Sequence, residues 1–295
     1  RLPYTTEALD LWFSQNRQVK PASCLVSMES TGDYHIKAAK YFLKKGFEVK
    51  VFNPILTRQY TRATIRGTKN DRQDSKLLCK LTREGLGDLA SLGQIINAKK
   101  ELLRLSTALT KYSVQLQLRL GSTKRKQLTK MAGVEKKFQK LIDQTKKLSN
   151  ELIDKATASQ TKPEKYIDSI PGFAKKLSAI VVQEIGDINK FKTPASLVAY
   201  AGLDPRIKES GKILKKRGRI TKRGSAYLRS ALYLAANIAR MKDQELADYY
   251  QKKKAEGRHH TEVLCVIARK LIYRIYAVWK EGRLYEPRPI SLKST

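Results

Sequence analysis

Three carboxylates and one serine stand in settings where their chemistry could be used. Asp71 and Asp74 occur in Lys69-Asn70-Asp71-Arg72-Gln73-Asp74-Ser75, three residues apart where a helix is expected to begin, so they share one helix face. Glu29 ends the compact, mostly apolar run Cys24-Leu25-Val26-Ser27-Met28, which stops at Glu29-Ser30-Thr31-Gly32 and reads as a buried strand with a polar group at its C-terminal tip. A hard cation such as Mg2+ needs converging oxygen ligands, and a strand-end carboxylate with two more on one helix face can supply them. Two such ions about 4 Å apart would stabilise both the attacking and the leaving oxygen of a phosphoryl transfer. The plainer reading of Asp71 and Asp74 is that they favour the positive end of their helix.

The serine is Ser210. It lies in RIKESGKILKKRGRITKR, where Arg206, Lys208, Lys212, Lys215, Lys216, Arg217, Arg219, Lys222 and Arg223 face a single acid, Glu209. Such a density of cations suits phosphate. Gly211 after the hydroxyl leaves room for a backbone or phosphate to approach, and Ser210 becomes a nucleophile if a base or metal eases its deprotonation. Without that help it is a Ser-Gly turn in a phosphate-gripping loop. Arg58, Arg62, Arg66 and Lys69 crowd residues 57–69, which show almost no apolar periodicity and read as a basic loop. Ile170-Pro171-Gly172-Phe173-Ala174, opening an apolar helix to Ile185, resembles a helix-hairpin-helix element that offers backbone N–H groups to a phosphate. Its usual second glycine is Ala174 here. His259-His260 has no third ligand at useful spacing and reads as surface.

Composition agrees with a phosphate polymer as partner. Lys and Arg number 60 against 27 Asp and Glu in 295 residues, a net charge of +33 that self-repels unless an anion neutralises it. A hydrophobic fraction of 41% leaves material for a core. No run of 18 apolar residues and no hydrophobic signal core appear, so a cytoplasmic chain without a membrane partner is expected. Cys24, Cys79 and Cys265 are scattered singly in apolar patterns, which excludes a disulfide framework or zinc knuckle and predicts buried thiols in a reducing compartment.

The elements that must position these groups follow from periodicity. A short helix is expected over residues 5–15, a strand at 24–28, a helix at 34–45 stopped by Gly46, and a second strand in which Phe47, Val49 and Val51 alternate with Glu48 and Lys50. A helix between two strands predicts an α/β unit with parallel pairing. Leucines then recur in a 3-4 rhythm, through Leu102, Leu105, Leu109, Tyr112 and Leu116 and again through Val134, Phe138, Leu141, Leu148 and Leu152, with a break near Gly121. That predicts a helical hairpin or coiled coil, within one chain or between chains. A mostly helical domain follows, with Gly218 and Gly224 as turns before a helix from Ser225 to Arg240, and a loose tail after Pro287. The expected division is 1–95, 96–160 and 161–295.

Taken in order, Met28-Glu29-Ser30-Thr31-Gly32 with Tyr34 and His35, Asn53-Pro54, Lys69-Asn70-Asp71-Arg72-Gln73-Asp74, Ile170-Pro171-Gly172, Ala201-Gly202-Leu203-Asp204-Pro205-Arg206, Ser210-Gly211 and residues 217–224 make the chain resemble the insertion-sequence 110 family of transposases over nearly its whole length. The resemblance implies an α/β RNase H/RuvC-like (DEDD) domain with its early strands missing here, a helical coiled-coil insert, and a mostly helical C-terminal domain carrying the serine. It implies that Glu29, Asp71 and Asp74 match three of four metal-binding carboxylates, that Mg2+ is the cofactor with a two-ion site possible, and that Ser210 matches the nucleophile that attaches to a DNA end. The partners it implies are donor and target DNA, a structured bridge RNA that guides them together, and further copies of the chain as dimer or tetramer, with carboxylates of one subunit meeting the serine of another. The setting it implies is prokaryotic and nucleoid-associated.

The family's first aspartate lies on an early strand ahead of residues 5–15, where this sequence has none; Asp10 is in the wrong setting. Starting at Arg1 rather than Met favours a chain that begins upstream, and loss of the segment from the protein itself would predict weak or no cleavage. A hydrolytic RuvC-like nuclease using carboxylates and metal alone, and a noncatalytic nucleic-acid-binding protein, are the two alternative readings of the same residues.

Overall fold

The computed structural model describes residues 5–30, 34–63, 71–95, 97–125, 132–208 and 216–287. The chain divides into two compact units, Arg1–Asn97 and Ala98–Thr295.

The first unit is built on a small sheet. Helix α1 (Thr6–Gln15) begins where the Thr5 side chain accepts the Ala8 N–H. Strand β1 (Leu25–Glu29) pairs in parallel with β2 (Glu48–Phe52), in register from Leu25 opposite Glu48 to Glu29 opposite Phe52, and helix α2 (Tyr34–Lys44) makes the crossover. Val49 and Phe52 are fully buried, while Glu48 is exposed. Rings of Phe13, Tyr41, Phe42 and Phe47 meet at 5.4–6.1 Å, closing α1 and α2 over the start of β2. A two-residue strand β3 (Asp88–Leu89) adds antiparallel to β2, giving the order β1-β2-β3.

Between β2 and β3 run α3 (Pro54–Ala63) and α4 (Asp71–Arg83), and the short α5 (Leu92–Ile95) follows β3. The basic loop expected from Thr57 is therefore helical as far as Ala63. Pro54 at the first helical position fixes φ for the turn, and the Leu56 and Thr57 N–H groups bond back to the Asn53 carbonyl. Residues 64–70 lie outside the described residues.

In the second unit α6 (Ala98–Arg125) and α7 (Ala132–Thr157) pack along each other. Lys99 bonds to Ser159 and Ser149 to Ser106, so one helix advances as the other returns. The expected helical hairpin is present, but only part of the leucine rhythm faces inward: Ser106, Ser113 and Leu120 on one helix and Ile142, Ser149 and Ala156 on the other, each set spaced by seven, are buried, Leu109, Leu116 and Leu152 are half-buried, and Leu105, Tyr112, Leu141 and Leu148 are exposed. Small residues let the backbones approach, and the serine hydroxyls are satisfied by carbonyls of their own or the facing helix, so a polar side chain is buried without loss. The expected break at Gly121 is absent: α6 runs through it to Arg125.

The remaining body comprises α8 (Lys162–Asp168), α9 (Lys175–Ile185), α10 (Pro194–Ala201), α11 (Ala226–Lys242), α12 (Gln244–Ala255) and α13 (His260–Glu281). Its core joins Ile180 and Val181 of α9, Leu228, Leu232, Ala235 and Ala236 of α11, and Ile267, Leu271 and Ile275 of α13. Between α10 and α11 stands a hairpin the helical reading missed: β4 (Pro205–Lys208) antiparallel to β5 (Lys216–Ile220). Gly218 lies inside β5, while Gly224 does turn the chain into α11. The thiols are not buried as expected. Cys79 is exposed on the outer face of α4, and Cys24 and Cys265 are half-buried.

Candidate functional site

In the first unit, β1 ends on Glu29 and α4 begins on Asp71, with α4 packed against β1. Asp71 and Asp74 both sit in the first turn of α4, where the positive end of the helix favours them. Glu29 and Asp74 are half-buried and Asp71 is exposed. Glu29 accepts a hydrogen bond of 2.6 Å from the Thr57 hydroxyl, and Thr57 itself is buried on α3. Thr57 thus fixes the carboxylate, a role the sequence reading missed; Asn53-Pro54 was the signal, since proline at a helix start would have placed Thr57 on a helix turned toward the strand end.

An all-oxygen donor set fits a hard divalent cation in kind. Among the described residues, however, no three His, Cys, Asp or Glu side chains are gathered closely enough to hold a metal ion, so these acids do not by themselves close a ligand shell. His35, in the first turn of α2, has its Nδ1 shut off from solvent without a hydrogen-bond partner among the described residues. Of the basic cluster, Arg58 is exposed on α3 and Arg62 belongs to the same helix; Arg66 and Lys69 lie outside the described residues.

In the second unit Ser210 falls in the segment joining β4 to β5. Ser210, Lys212 and Lys215 lie outside the described residues. Arg206 is on β4, Lys216, Arg217 and Arg219 are on β5, and Lys222 and Arg223 are exposed in the turn that follows. The base of the hairpin is held firmly. Thr221 bonds to Asp204 through both its N–H and its hydroxyl, and the Lys222 N–H reaches the Gly202 carbonyl. Gly202 has φ +68°, and a Cβ there would stand 2.0 Å from the Arg223 carbonyl oxygen, so only glycine fits. Lys222 itself adopts φ +56°, a left-handed conformation that costs a lysine roughly 1–2 kcal/mol and is held by these contacts.

The hairpin leads into α11, whose cap Ser225 is drawn into a buried charge cluster. Glu184 on α9, 4% exposed, receives Arg104 Nε at 2.8 Å and the Ser225 hydroxyl at 2.8 Å, with Lys100 at 3.6 Å. Burial would push the Glu184 carboxyl up; the Arg104 hydrogen bonds and the Lys100 charge overcome it and hold it below the ordinary value. Burial pulls Lys100 down despite Glu184. The cluster ties α6 and α9 to the helix that follows the serine hairpin.

The helix-hairpin-helix expectation meets a packing reason for its glycine. A Cβ on Gly172, at φ +102°, would lie 2.4 Å from the Ala235 carbonyl oxygen, so this turn is pressed against α11. Ala174 caps α9 without a side-chain hydrogen bond. His259 caps α13 and His260 bonds to Tyr250 at 2.8 Å, as suits structural histidines.

Comparison with known proteins covers both units. A family described as "Transposase" of the IS110 DEDD type matches residues 1–132, and one described as "Transposase IS116/IS110/IS902 family" matches residues 164–251. The chain is 25% identical over 293 residues to a pilin gene-inverting protein of Moraxella bovis, covering 95% of this chain and 87% of that one. It is 24% identical to the transposase for insertion sequence element IS1328 of Yersinia enterocolitica, covering 89% and 85%. Over a shorter stretch, 42% of this chain and 31% of the other, it is 34% identical to an uncharacterized 44.8 kDa protein of insertion element IS116 of Streptomyces clavuligerus.

Proposed function

Because the chain belongs to the IS116/IS110/IS902 family of transposases, we propose that it cuts and rejoins DNA through Ser210, with Glu29, Asp71 and Asp74 serving a divalent cation, Mg2+ by its preference for oxygen. The bound cation would neutralise charge on the reacting phosphate. Attack of the Ser210 oxygen on a DNA phosphorus exchanges one phosphoester for another, so the strand is broken without loss of bond energy and a different DNA hydroxyl can reverse the step. Arg206, Lys212, Lys215, Lys216, Arg217, Arg219, Lys222 and Arg223 neutralise phosphates around the serine, and Arg58, Arg62, Arg66 and Lys69 do so near the carboxylates. The observation that carries this reading is the match of both units, in order, to transposase families, with the strand-end and helix-start acids in one and the basic serine hairpin in the other.

The finer parts of the proposal are a structured bridge RNA that brings donor and target DNA together, and assembly as dimer or tetramer with the carboxylates of one copy serving the serine of another. In that division residues 1–95 hold the metal, 96–160 assemble and 161–295 carry the serine. The exposed Leu105, Tyr112, Leu141 and Leu148 of the α6–α7 pair support assembly. The test is to purify the protein with the RNA of its element and assay recombination with Mg2+. Ser210→Ala is expected to abolish recombination while RNA binding persists; recombination by that variant would overturn the serine assignment.

A further inference from the structure

A groove of about 1430 Å3 opens beside the base of the serine hairpin, entirely within the second unit. One wall is the hairpin base, through Pro205, Ile220 and Lys222; the others are α11, α12 and α13. Its volume exceeds the several hundred Å3 of a typical small-molecule cleft. Its lining mixes apolar side chains and cations with Tyr233 and Tyr249, and Lys270 lies over the Tyr249 ring at 4.7 Å.

Those cations are only partly used by the protein. Arg258 is paired with Glu262 at 2.8 Å. Among the described residues Lys222, Arg229 and Arg269 have no carboxylate partner, Arg229 donates to the Ala201 carbonyl at 3.1 Å, and the buried Arg269 Nε has no hydrogen-bond partner. A buried donor left unpaired is unfavourable until something accepts from it. Lys222, at the hairpin base, and Arg269, on α13, line the same groove as the half-buried Cys265; burial pushes the Cys265 thiol up, and its charged neighbours are Arg269, Glu262 and Lys222. Three cations and a tyrosine in one largely apolar groove match the pairing of phosphate contacts with base stacking that grips an unpaired strand.

We propose that this groove binds a single-stranded phosphodiester segment, its phosphates on Lys222, Arg229 and Arg269 and its bases against Tyr233 and the apolar lining. The inference rests on the reading of the chain as a protein acting on nucleic acid, but not on Ser210 being the nucleophile. In that setting the groove would lead a strand away from the serine hairpin after it is opened.

The test uses the full chain carrying Ser210→Ala, in EDTA, so that no chemistry intervenes and binding is read alone. Fluorescence anisotropy is followed with labelled single-stranded DNA, single-stranded RNA and a duplex of the same sequence. Arg269→Gln and Lys222→Ala are each expected to weaken single-strand binding about tenfold and to flatten its salt dependence by about 0.7 in log–log slope per lost phosphate contact, with less effect on the duplex. Ser230→Glu, at an exposed position of the groove, adds an anion without removing packing and should act in the same direction, which guards against misfolding of the arginine variant. Lys192→Glu, exposed outside the groove, should change affinity far less than Ser230→Glu. A loss confined to the DNA or to the RNA probe supports the groove and identifies its strand. Unchanged single-strand affinity in Arg269→Gln and Ser230→Glu, or a loss equal to that of Lys192→Glu, would overturn it.

Discussion

The buried acids of the helical unit and the three candidate acids of the sheet unit stand in opposite settings. In the helical unit Glu164, Glu184 and Asp243 are at most 9% exposed, and each is pinned to a cation: Lys99 at 2.7 Å, Arg104 at 2.8 Å and Arg274 at 2.7 Å. In the sheet unit Glu29, Asp71 and Asp74 stand half-buried or exposed at a strand end and a helix start. A buried carboxylate is stable only if paired, and pairing commits it to the fold. The three acids of the sheet unit are not enclosed in this way and stay within reach of solvent, in a chain of net charge +33.

Substitutions can break that contrast, and the largest expected effect is on activity. Asp74→Asn is expected to remove recombination altogether while leaving the folded state intact, checked by pairing a recombination assay with thermal unfolding; full activity would place Asp74 with the structural acids. Next in size, Glu184→Gln leaves Arg104 and Lys100 around a neutral group and should destabilise by about 3 kcal/mol, the low end for breaking a buried pair because Arg104 keeps 34% of its side chain exposed. Urea unfolding measures it. Gly202→Ala drives a Cβ against the Arg223 carbonyl at positive φ and is expected to cost about 2 kcal/mol, with looser protection of the hairpin base in hydrogen exchange.

A smaller effect concerns pH. The folded-state pKa of Glu184 is depressed from an ordinary 4.5, so its stabilisation is complete above that value and is lost as pH falls through the lower folded value. The stability gap between the natural protein and Glu184→Gln should therefore stay constant at neutral pH and close on acidification below about 4.5. Smallest of all, Asp71→Asn should change stability by no more than about 0.5 kcal/mol, the size of an exposed helix-end charge interaction.

The legible parts of the molecule were those whose signals are local. The alternation in residues 47–51, the apolar run ending at Glu29 and the acids opening α4 each carry their period or cap within a few residues, and the structure has β2, β1 and α4 there. The leucine spacing of α6 and α7 foretold the paired helices but not which face meets the partner, since serines with satisfied hydroxyls take much of the buried face. The β4–β5 hairpin was hidden under its basic residues, since pairing there depends on contacts made at a distance, through Asp204, Gly202 and Thr221. The bond from Thr57 to Glu29 spans 28 residues, so Asn53-Pro54 could place Thr57 on a helix but could not name its partner.

The most direct test of the central claim is a denaturing gel of the full chain with its RNA and end-labelled DNA in Mg2+. A protein–DNA adduct is expected in the natural protein and absent from both Ser210→Ala and Asp74→Asn, which would join the serine hairpin and the carboxylate rim in one reaction. Strand cleavage without any adduct, or an adduct that survives Ser210→Ala, would contradict it.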